Sequence, residues 1–274
     1  MSMALMEYGR CFFHYTKWKT ASEHIIPSGK LRLSPYSQMR DPLEAMAPML
    51  GAGVSYAPGD QEAAERMGRA HYEAEEEIGR LRSCTKVLSL TVDAEWAATV
   101  PEPDRRFGMG WARARMWEQY AENHTGVCLV FAKDAFKAAV LPQLQARSPT
   151  ARAGTVKYAN TGLAGSRAST ILLSPDEPGS QQARRHMEKH ATEFLFMKLS
   201  DWESEHEYRF VEPSETVEYS CVEFGDTLVG FMAGHNFAED LEAEALALAR
   251  HHNIEARQIL WAVNGPMEGK FKSG

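Results

Sequence analysis

Two glutamates, Glu205 and Glu207, stand two residues apart where a predicted strand begins. One carboxylate could take a proton from an attacking group while the other stabilises positive charge in a transition state. Residues i and i+2 of a strand share a face, so these like charges repel unless a ligand or a cation joins them. Arg209 falls on the same face and could be that cation. The alternative is an edge strand with a charged face toward solvent.

A second polar group, His14, Tyr15 and Thr16, lies at the end of a predicted aromatic strand over residues 10–15. The imidazole and the hydroxyl could both hydrogen-bond the ribose or the amide of a ligand. In the alternative interpretation the next turn satisfies the His and Thr side chains, and no ligand is involved.

A pair of aromatic residues, Trp117 and Tyr120, is three residues apart in a predicted helix over 106–123. Residues at this spacing share a helix face, which favours core packing. Substrate binding is the alternative that we keep for both side chains.

The elements that must position these residues alternate irregularly along the chain. Predicted strands cover 10–15, 30–34, 86–93, 126–131, 155–158, 207–213 and 258–263, with two more between 217 and 232 around a hairpin at Gly225-Asp226. Predicted helices cover 20–26, 59–82, 106–123, 181–199 and 236–251, and 35–58 and 160–180 are predicted loops. Because the steady βαβ rhythm of a parallel sheet is missing, we predict an α+β fold with a mainly antiparallel sheet core and flanking helices. We expect a single domain over 1–274, with a helical insertion around 59–82 and a loop-rich segment around 160–180.

Composition excludes several classes of protein. The 274 residues include 30 Lys and Arg against 37 Asp and Glu, and the net charge of −7 gives no overall attraction to nucleic acid or to an anionic membrane. The 4 cysteines lack CxxC spacing, which argues against a zinc knuckle and a disulfide framework. Neither a secretory signal nor an apolar run of about 18 residues is present, so we expect a cytoplasmic protein without a membrane partner.

Common catalytic and binding motifs are missing as well. The sequence has no Walker loop, no GxSxG and no HExxH, and Gly51-Ala-Gly53 does not continue as a dinucleotide fingerprint. His186 and His190 are four residues apart on a predicted helix, but their basic neighbours favour a solvated face. We therefore predict no bound metal.

Four segments together resemble a widespread bacterial family labelled only as a domain of unknown function. They are HYT at 14–16, DPLE at 41–44, MWEQYAENHTGVCLVF at 116–131 and WESEHEYRF at 202–210. The resemblance covers about residues 11–235, and the family label implies no activity.

A second, more distant resemblance does imply an activity. A strand that ends in His-x-Thr, followed by a short helix, Gly29 and a short strand, is similar to the opening of ADP-ribosyltransferases, including toxins that modify DNA bases. Such enzymes place a glutamate on a late strand, sometimes as Glu-x-Glu, which Glu205 and Glu207 match. Ser89 lies in a Ser-Leu-Thr strand that partly matches the Ser-Thr-Ser strand of one branch, although that branch opens with Arg where this chain has His14. The resemblance implies an ADP-ribosyltransferase-like fold and NAD as co-substrate.

The same resemblance implies roles for the candidate residues. Transfer from NAD breaks the bond between nicotinamide and ribose through an oxocarbenium-like transition state. Glu207 would hold the ribose 2′-hydroxyl and stabilise the positive charge, and Glu205 would activate or orient the acceptor. His14 and Thr16 would bind the adenosine ribose or the nicotinamide amide. The other implied substrate-binding residues are Tyr15, Ser89, Trp117, Tyr120 and Arg209, with Tyr15 or Tyr120 stacking on the nicotinamide ring.

The acceptor of the transferred group could be a protein, a nucleic acid or, in an NAD glycohydrolase, water. A toxin or phage-defence role fits the bacterial resemblance. Two other functions stay open. In a non-enzymatic binding or sensing domain, Glu207 pairs with an arginine such as Arg209 and no open pocket adjoins His14. In a metal-dependent nuclease, Glu205, Glu207 and Lys198 form a metal cluster.

Overall fold

The computed structural model describes residues 7–46, 49–54 and 59–271. Residues 47–48 and 55–58 of the predicted 35–58 loop therefore lie outside the described residues, as do both ends of the chain. The division of the chain into one domain with an insertion stays a prediction.

The strands and helices have the following bounds. Strands β1 to β14 span Cys11–Thr16, Lys30–Pro35, Gly51–Val54, Lys86–Thr91, Val127–Ala132, Arg152–Thr155, Lys157–Ala159, Thr170–Leu173, Met197–Leu199, Glu207–Glu212, Ser220–Glu223, Leu228–Ala233, Glu255–Ala262 and Gly265–Gly269. Helices α1 to α9 span Trp18–Thr20, Ile26–Ser28, Pro42–Ala45, Gln61–Cys84, Ala114–Tyr120, Lys133–Arg147, Gly179–Lys189, Ala191–Phe196 and Glu242–His251. A π-helical turn, Ala21–Ile25, joins α1 to α2.

The main sheet has the order β11-β2-β4-β1-β5-β12-β13-β14, with β10 added to β4 and β6 added to β10. Its strand pairs are antiparallel except for β12 and β13. Helices flank this sheet, so the predicted α+β class with a mainly antiparallel core is confirmed. The ADP-ribosyltransferase-like architecture stays a prediction.

The sheet splits in two along one side of β4. On its other side β4 pairs with β10 over its whole length, from Lys86 to Thr91. On the split side the start of β4 pairs with β2 and its end, Thr91, pairs with Phe13 of β1. Residues 88–90 lie between these two ladders and have no strand partner on that side among the described residues. The main chain therefore leaves a slot between β1 and β2 whose floor is β4.

The faces of the sheet follow from the alternation of side chains along its strands. On one face Phe12 and Phe210 pack ring to ring with Phe136 of helix α6, with centroids 5.4 to 5.9 Å apart, and the same hydrophobic cluster includes Ala245 and Ala249 of α9. On the other face Phe13 and Tyr15 pack with Trp117 of α5. Burying these large rings supplies much of the apolar contact that holds β1 in place.

A third cluster forms where α4, α7 and α8 meet beyond β2, around Tyr36, Ile78 and Phe194. Helix α4 fills the predicted helix over 59–82. None of the helices within the described ranges combines the length and the apolar content needed to cross a membrane.

Several predicted elements are wrong, because strand pairing between segments distant in sequence decides the structure there. The expected hairpin at Gly225 is absent, because β11 pairs with β2 and β12 pairs with β5. The predicted 160–180 loop contains β8, which pairs in parallel with β3 inside the other predicted loop. Helix α6 had no counterpart in the predicted elements, and the predicted 181–199 helix is divided into α7, α8 and β9.

The predicted helix over 106–123 is reduced to α5, and Trp111 lies before it. The preceding segment is fixed by Gly110, whose N–H donates to Asp93 Oδ1 at 2.6 Å. A Cβ at Gly110 would lie 2.3 Å from the Phe13 ring, so the main chain here packs directly on the sheet. Residues 109–113 have no helical structure, and α5 begins at Ala114.

Candidate functional site

A cavity of about 330 Å³ opens at the slot between β1 and β2. This volume is near the lower end of the range for small-molecule sites. Its walls come from β1, β2, β4, α5 and the segment 38–44, and its inner end from three buried charged residues, Lys198, Glu205 and Glu207. Larger cavities of about 470 and 530 Å³ lie beside Glu212 and beside His206. We take the slot cavity as the candidate site because buried ionisable groups converge there.

Both predicted carboxylates meet at the ammonium group of Lys198. Lys198 Nζ lies 2.7 Å from Glu205 Oε2 and 3.5 Å from Glu207 Oε2. The same nitrogen lies 4.4 Å from the centre of the Trp202 ring, a cation–π contact. Lys198 belongs to β9, which pairs with β7, and the Glu207 N–H donates to the hydroxyl of Tyr158 in β7 at 2.9 Å. This small sheet thereby places the ammonium beside the start of β10.

Arg209 holds Glu207 through two parallel hydrogen bonds. Its Nε donates to Oε1 at 2.6 Å and its Nη2 donates to Oε2 at 2.8 Å. The fully buried guanidinium also donates from Nη1 to the Tyr36 hydroxyl at 2.7 Å and to the Leu195 carbonyl at 3.1 Å. A bidentate pair of this kind fixes the orientation of the carboxylate.

Glu44 is a third buried carboxylate in this cluster. Its Oε1 lies 2.6 Å from Arg209 Nη1, and its Oε2 lies 3.8 Å from Lys198 Nζ. Neither oxygen has a hydrogen-bond partner with suitable angles among the described residues. Three carboxylates thus gather around the two cations Lys198 and Arg209, and the buried guanidinium of Arg82 is a further cation that interacts with Glu44.

Ser89 contacts Glu207 across the β4–β10 pair. Its hydroxyl donates a short hydrogen bond to Glu207 Oε1, and Ser89 lines the cavity. In the strand register Ser89 is opposite Arg209, so the hydroxyl and the guanidinium approach the carboxylate from neighbouring strands. Glu207 consequently accepts from or contacts four donors: Ser89 Oγ, Arg209 Nε, Arg209 Nη2 and Lys198 Nζ.

The charges within the cluster have shifted pKa values. Burial alone would raise the pKa of Glu207, but Arg209, Lys198 and the Ser89 hydroxyl lower it to about 2. Burial would lower the pKa of Lys198, yet the surrounding carboxylates of Glu207, Glu205 and Glu44 raise it. Burial raises the pKa of Glu44, an effect that Arg209 offsets only in part. Glu207 and Lys198 are therefore charged at neutral pH.

Glu205 reaches the cluster from a turn and not from the strand. We expected both glutamates on one face of a strand, but β10 begins at Glu207 and Glu205 ends the 3-10 turn Ser200–Glu205. His206 between them has φ +44°, a left-handed conformation in which His is enriched among non-glycine residues. This bend brings both carboxylates to Lys198. Glu205 Oε1 also accepts from the Tyr120 hydroxyl at 2.9 Å.

His14 and Tyr15 of β1 both line the cavity. Burial lowers the pKa of His14 to about 4, and a hydrogen bond with the Ser89 backbone offsets part of this effect. The Tyr15 hydroxyl donates to the Gly110 carbonyl, and its ring packs edge-on against Trp117 at 5.1 Å. The Tyr15 ring is therefore held in place as part of the cavity wall. Stacking of a ligand on Tyr15 or Tyr120 stays a prediction.

Three predicted site residues do not line the cavity. Thr16 pairs with Val127 at the end of the β1–β5 ladder. Trp117 is fully buried and donates from Nε1 to the Trp111 carbonyl at 2.8 Å. It is therefore a core residue, as its spacing from Tyr120 favours. Arg209 acts behind Glu207 without reaching the cavity surface. The cavity brings together His14, Tyr15, Ser89, Tyr120, Glu205 and Glu207.

Glu44 and Tyr36 were missed as site residues by the sequence reasoning, and Lys198 was named only as part of a metal cluster. A signal for Glu44 was present in the segment DPLE. Asp41 caps α3 by accepting from the Leu43 N–H at 3.0 Å, and Pro42 begins the helix. This capped turn directs Glu44 into the interior, whereas glutamate side chains are ordinarily exposed to solvent.

The same geometry bears on whether a metal ion could bind at the inner end of the cavity. Among residues 7–46, 49–54 and 59–271, no three His, Cys, Asp or Glu side chains are grouped closely enough to hold a metal ion. The Lys198 ammonium lies between Glu205 and Glu207, where a divalent cation joining them would have to bind. A metal ion at this position would therefore need to displace an ammonium group.

Comparison with known protein families gives a match to part of the chain. Residues 116–210 match the model of a family described as a protein of unknown function, DUF2971. The chain is similar to DUF2971 proteins. The matched range includes Tyr120, Lys198, Glu205 and Glu207 of the cavity and ends within β10. No curated protein and no solved structure gives a significant match. The expected similarity to a family of unknown function is thus confirmed over this range.

Proposed function

We propose that this chain is an NAD-consuming ADP-ribosyltransferase, or an NAD glycohydrolase where water is the acceptor. The observation that carries the proposal is one cavity lined by His14, Ser89, Glu205 and Glu207, which come from three distant segments of the chain. A polar ligand that enters the slot meets hydrogen-bonding groups on β1 and β4 and carboxylates at the inner end. NAD use itself rests on the resemblance of these segments to ADP-ribosyltransferases.

The charge at the inner end suits this chemistry. Three buried carboxylates, Glu44, Glu205 and Glu207, gather there, and Glu207 is ionised because its pKa is about 2. The nicotinamide ring of NAD is positively charged, and positive charge moves onto the ribose as the glycosidic bond breaks. A buried anion beside the ribose stabilises that charge more than solvent would.

Glu207 serves in this proposal as the fixed anion. Four donors hold its two oxygens, and its low pKa keeps it ionised. The ribose 2′-hydroxyl, which we expected on this carboxylate, must replace one of those donors. The Ser89 hydroxyl is the uncharged donor among them and lines the cavity, so we assign the exchange to Ser89.

Glu205 serves as the general base. Its carboxylate has two donors, the Tyr120 hydroxyl and the Lys198 ammonium, so about two of its roughly four acceptor positions are open. In the reaction, nicotinamide leaves with the electron pair of its bond to ribose C1′. An oxygen or nitrogen atom of the acceptor forms the new bond to that carbon, and its proton passes to Glu205.

His14 binds the ligand as a neutral imidazole. Because its pKa is about 4, the ring is uncharged at neutral pH and has one donor and one acceptor nitrogen. One nitrogen is used by the Ser89 backbone, and the other can bond a ribose hydroxyl or the nicotinamide amide.

One observation favours a second candidate, a non-enzymatic binding domain. That hypothesis expects Glu207 to pair with Arg209, and this pair is present. It also expects no open pocket beside His14, whereas His14 lines the slot cavity. The nuclease hypothesis is disfavoured by the position of Lys198 between the two carboxylates.

Calorimetry with NAD and chromatography of released nicotinamide test the proposal together. We expect Glu205→Gln to bind NAD and to release nicotinamide at least about a hundredfold more slowly, whereas His14→Ala binds NAD more weakly. Glu203→Gln, an exposed change in the same turn, is the matched control. Circular dichroism establishes that each variant is folded. No binding by the wild type at millimolar NAD would overturn the proposal in favour of the binding domain.

A further inference from the structure

Two arginines, Arg32 and Arg40, line the outer part of the slot cavity. Arg32 belongs to β2 and Arg40 precedes α3, and both side chains are exposed. Among the described residues, neither guanidinium has a carboxylate within ion-pair distance. The outer part of the cavity is therefore positive, while three buried carboxylates, Glu44, Glu205 and Glu207, lie at its inner end.

Both guanidinium groups are held in place by aromatic rings. Arg32 Cζ lies 4.8 Å from the centre of the Tyr219 ring, and Arg40 Cζ lies 4.5 Å from the centre of the Tyr120 ring. Stacking of this kind orients the plane of the guanidinium while its N–H edge stays available. Arg40 uses one donor on the Gln119 carbonyl, at 2.7 Å, and has four others.

Tyr120 connects the two ends of the cavity. Its ring carries Arg40 and its hydroxyl donates to Glu205, so the cation and the carboxylate are fixed by one side chain. A ligand that satisfies both ends combines a positively polarised group, placed at the carboxylates, with an anionic group, placed at the arginines. The volume of about 330 Å³ holds only part of a dinucleotide, so the rest of such a ligand extends past the rim.

We propose that Arg32 and Arg40 bind the pyrophosphate of a dinucleotide whose nicotinamide riboside half occupies the slot. This inference rests on the proposed function and adds the orientation of the substrate to it. Arginine suits the role because its planar N–H groups pair with two phosphate oxygens at once. The adenosine half then lies outside the slot, beyond the exposed rim of β2.

Binding of ADP-ribose and of nicotinamide riboside, measured by calorimetry, tests the assignment. ADP-ribose contains the pyrophosphate, and nicotinamide riboside lacks any phosphate. We expect Arg32→Gln and Arg40→Gln each to raise the Kd for ADP-ribose about tenfold or more and to leave the Kd for nicotinamide riboside within about twofold. Arg250→Gln, an exposed change on α9, should leave both values unchanged. Added salt should weaken ADP-ribose binding in the wild type more than in the variants.

The outcomes separate the two proposals. Arginine-dependent ADP-ribose binding without nicotinamide release from NAD would support the pyrophosphate site and contradict the transferase. Nicotinamide release that does not change in Arg32→Gln and Arg40→Gln, together with unchanged ADP-ribose binding, would leave the transferase standing and overturn the pyrophosphate site. Absence of ADP-ribose binding by the wild type, or arginine-dependent binding of a single-stranded oligonucleotide in its place, would also overturn the pyrophosphate site.

Discussion

The hydroxyl of Ser89 donates to the carboxylate of Glu207 across the pair of strands β4 and β10. The contact joins the floor of the slot to the buried charge cluster. Because Ser89 also faces the cavity, a ligand that bonds this hydroxyl alters the set of donors around Glu207.

Replacing Ser89 by alanine removes one donor from a buried, ionised carboxylate. We expect Ser89→Ala to lower the free energy of unfolding by about 1–3 kcal/mol, because hydrogen bonds to charged groups are worth more than neutral ones. Ser89→Thr keeps the hydroxyl and suits a strand, so it should restore most of the loss. Urea unfolding of the two variants gives the comparison, and equal losses in both would contradict the assigned hydrogen bond.

Lys198 and Glu205 should show strong energetic coupling. Lys198→Met leaves buried carboxylates without their shared cation, and Glu205→Gln removes one partner of that cation. Each single change should lower the free energy of unfolding by about 3–5 kcal/mol, because it leaves the other member of a buried ion pair without its partner. The double variant should lose less than the sum, with a coupling energy of about 1–3 kcal/mol in a double-mutant cycle. Additive losses would mean that the two groups act independently.

Acid should destabilise the protein through Glu207. Its folded pKa, about 2, lies below its ordinary value of 4.5. The resulting stabilisation is fully present above pH 4.5 and is lost as the pH falls toward 2, a total of about 3 kcal/mol. Glu207→Gln lacks this contribution, so its unfolding free energy should fall less steeply between these pH values. Urea unfolding at pH 7, 4.5 and 3 measures both slopes, and parallel slopes would count against the low pKa.

Two glycines near the contact between α4 and α7 should respond in opposite directions to alanine. A Cβ at Gly179 would lie 1.8 Å from the Ala70 carbonyl oxygen, whereas a Cβ at Gly68 would meet nothing within 4 Å. We expect Gly179→Ala to destabilise the fold by about 1–3 kcal/mol through overpacking. Gly68→Ala, inside α4, should stabilise it by up to about 1 kcal/mol. Thermal unfolding of the two variants decides the matter. A Gly179→Ala variant at least as stable as the wild type would show that the helices do not approach this closely, and a destabilised Gly68→Ala variant would contradict the open space at Gly68.

Local patterns predicted much of the sheet. Strands β1, β4 and β10 follow from short aromatic or alternating runs, and the shared face of Glu207 and Arg209 follows from their spacing of two residues. What each strand pairs with depends on contacts between distant segments. The hairpin expected at Gly225 failed for this reason, because β2 and β5 compete successfully for its two strands.

The candidate site was predictable only in part for the same reason. His14, Ser89, Glu205 and Glu207 were named from residue type and resemblance, and the cavity that they share exists because β1 and β2 diverge on β4. Spacing alone could not place Lys198 between the carboxylates, since β9 reaches them through its pairing with β7. Spacing alone also could not show that Trp117 is a core residue while Tyr120 contacts Glu205.

The slot in the sheet also bears on how such a chain can change over evolutionary time. Its frame is main chain, because the ladders that hold β2 to β11 and β1 to β5 do not depend on which side chains point into the opening. Positions such as Arg32 and Ser34 can therefore be exchanged while the strands stay paired, whereas Ser89 and Glu207 are tied to each other. Descendants of one ancestor could thus recognise different molecules at the outer rim while keeping the same buried charges at the inner end.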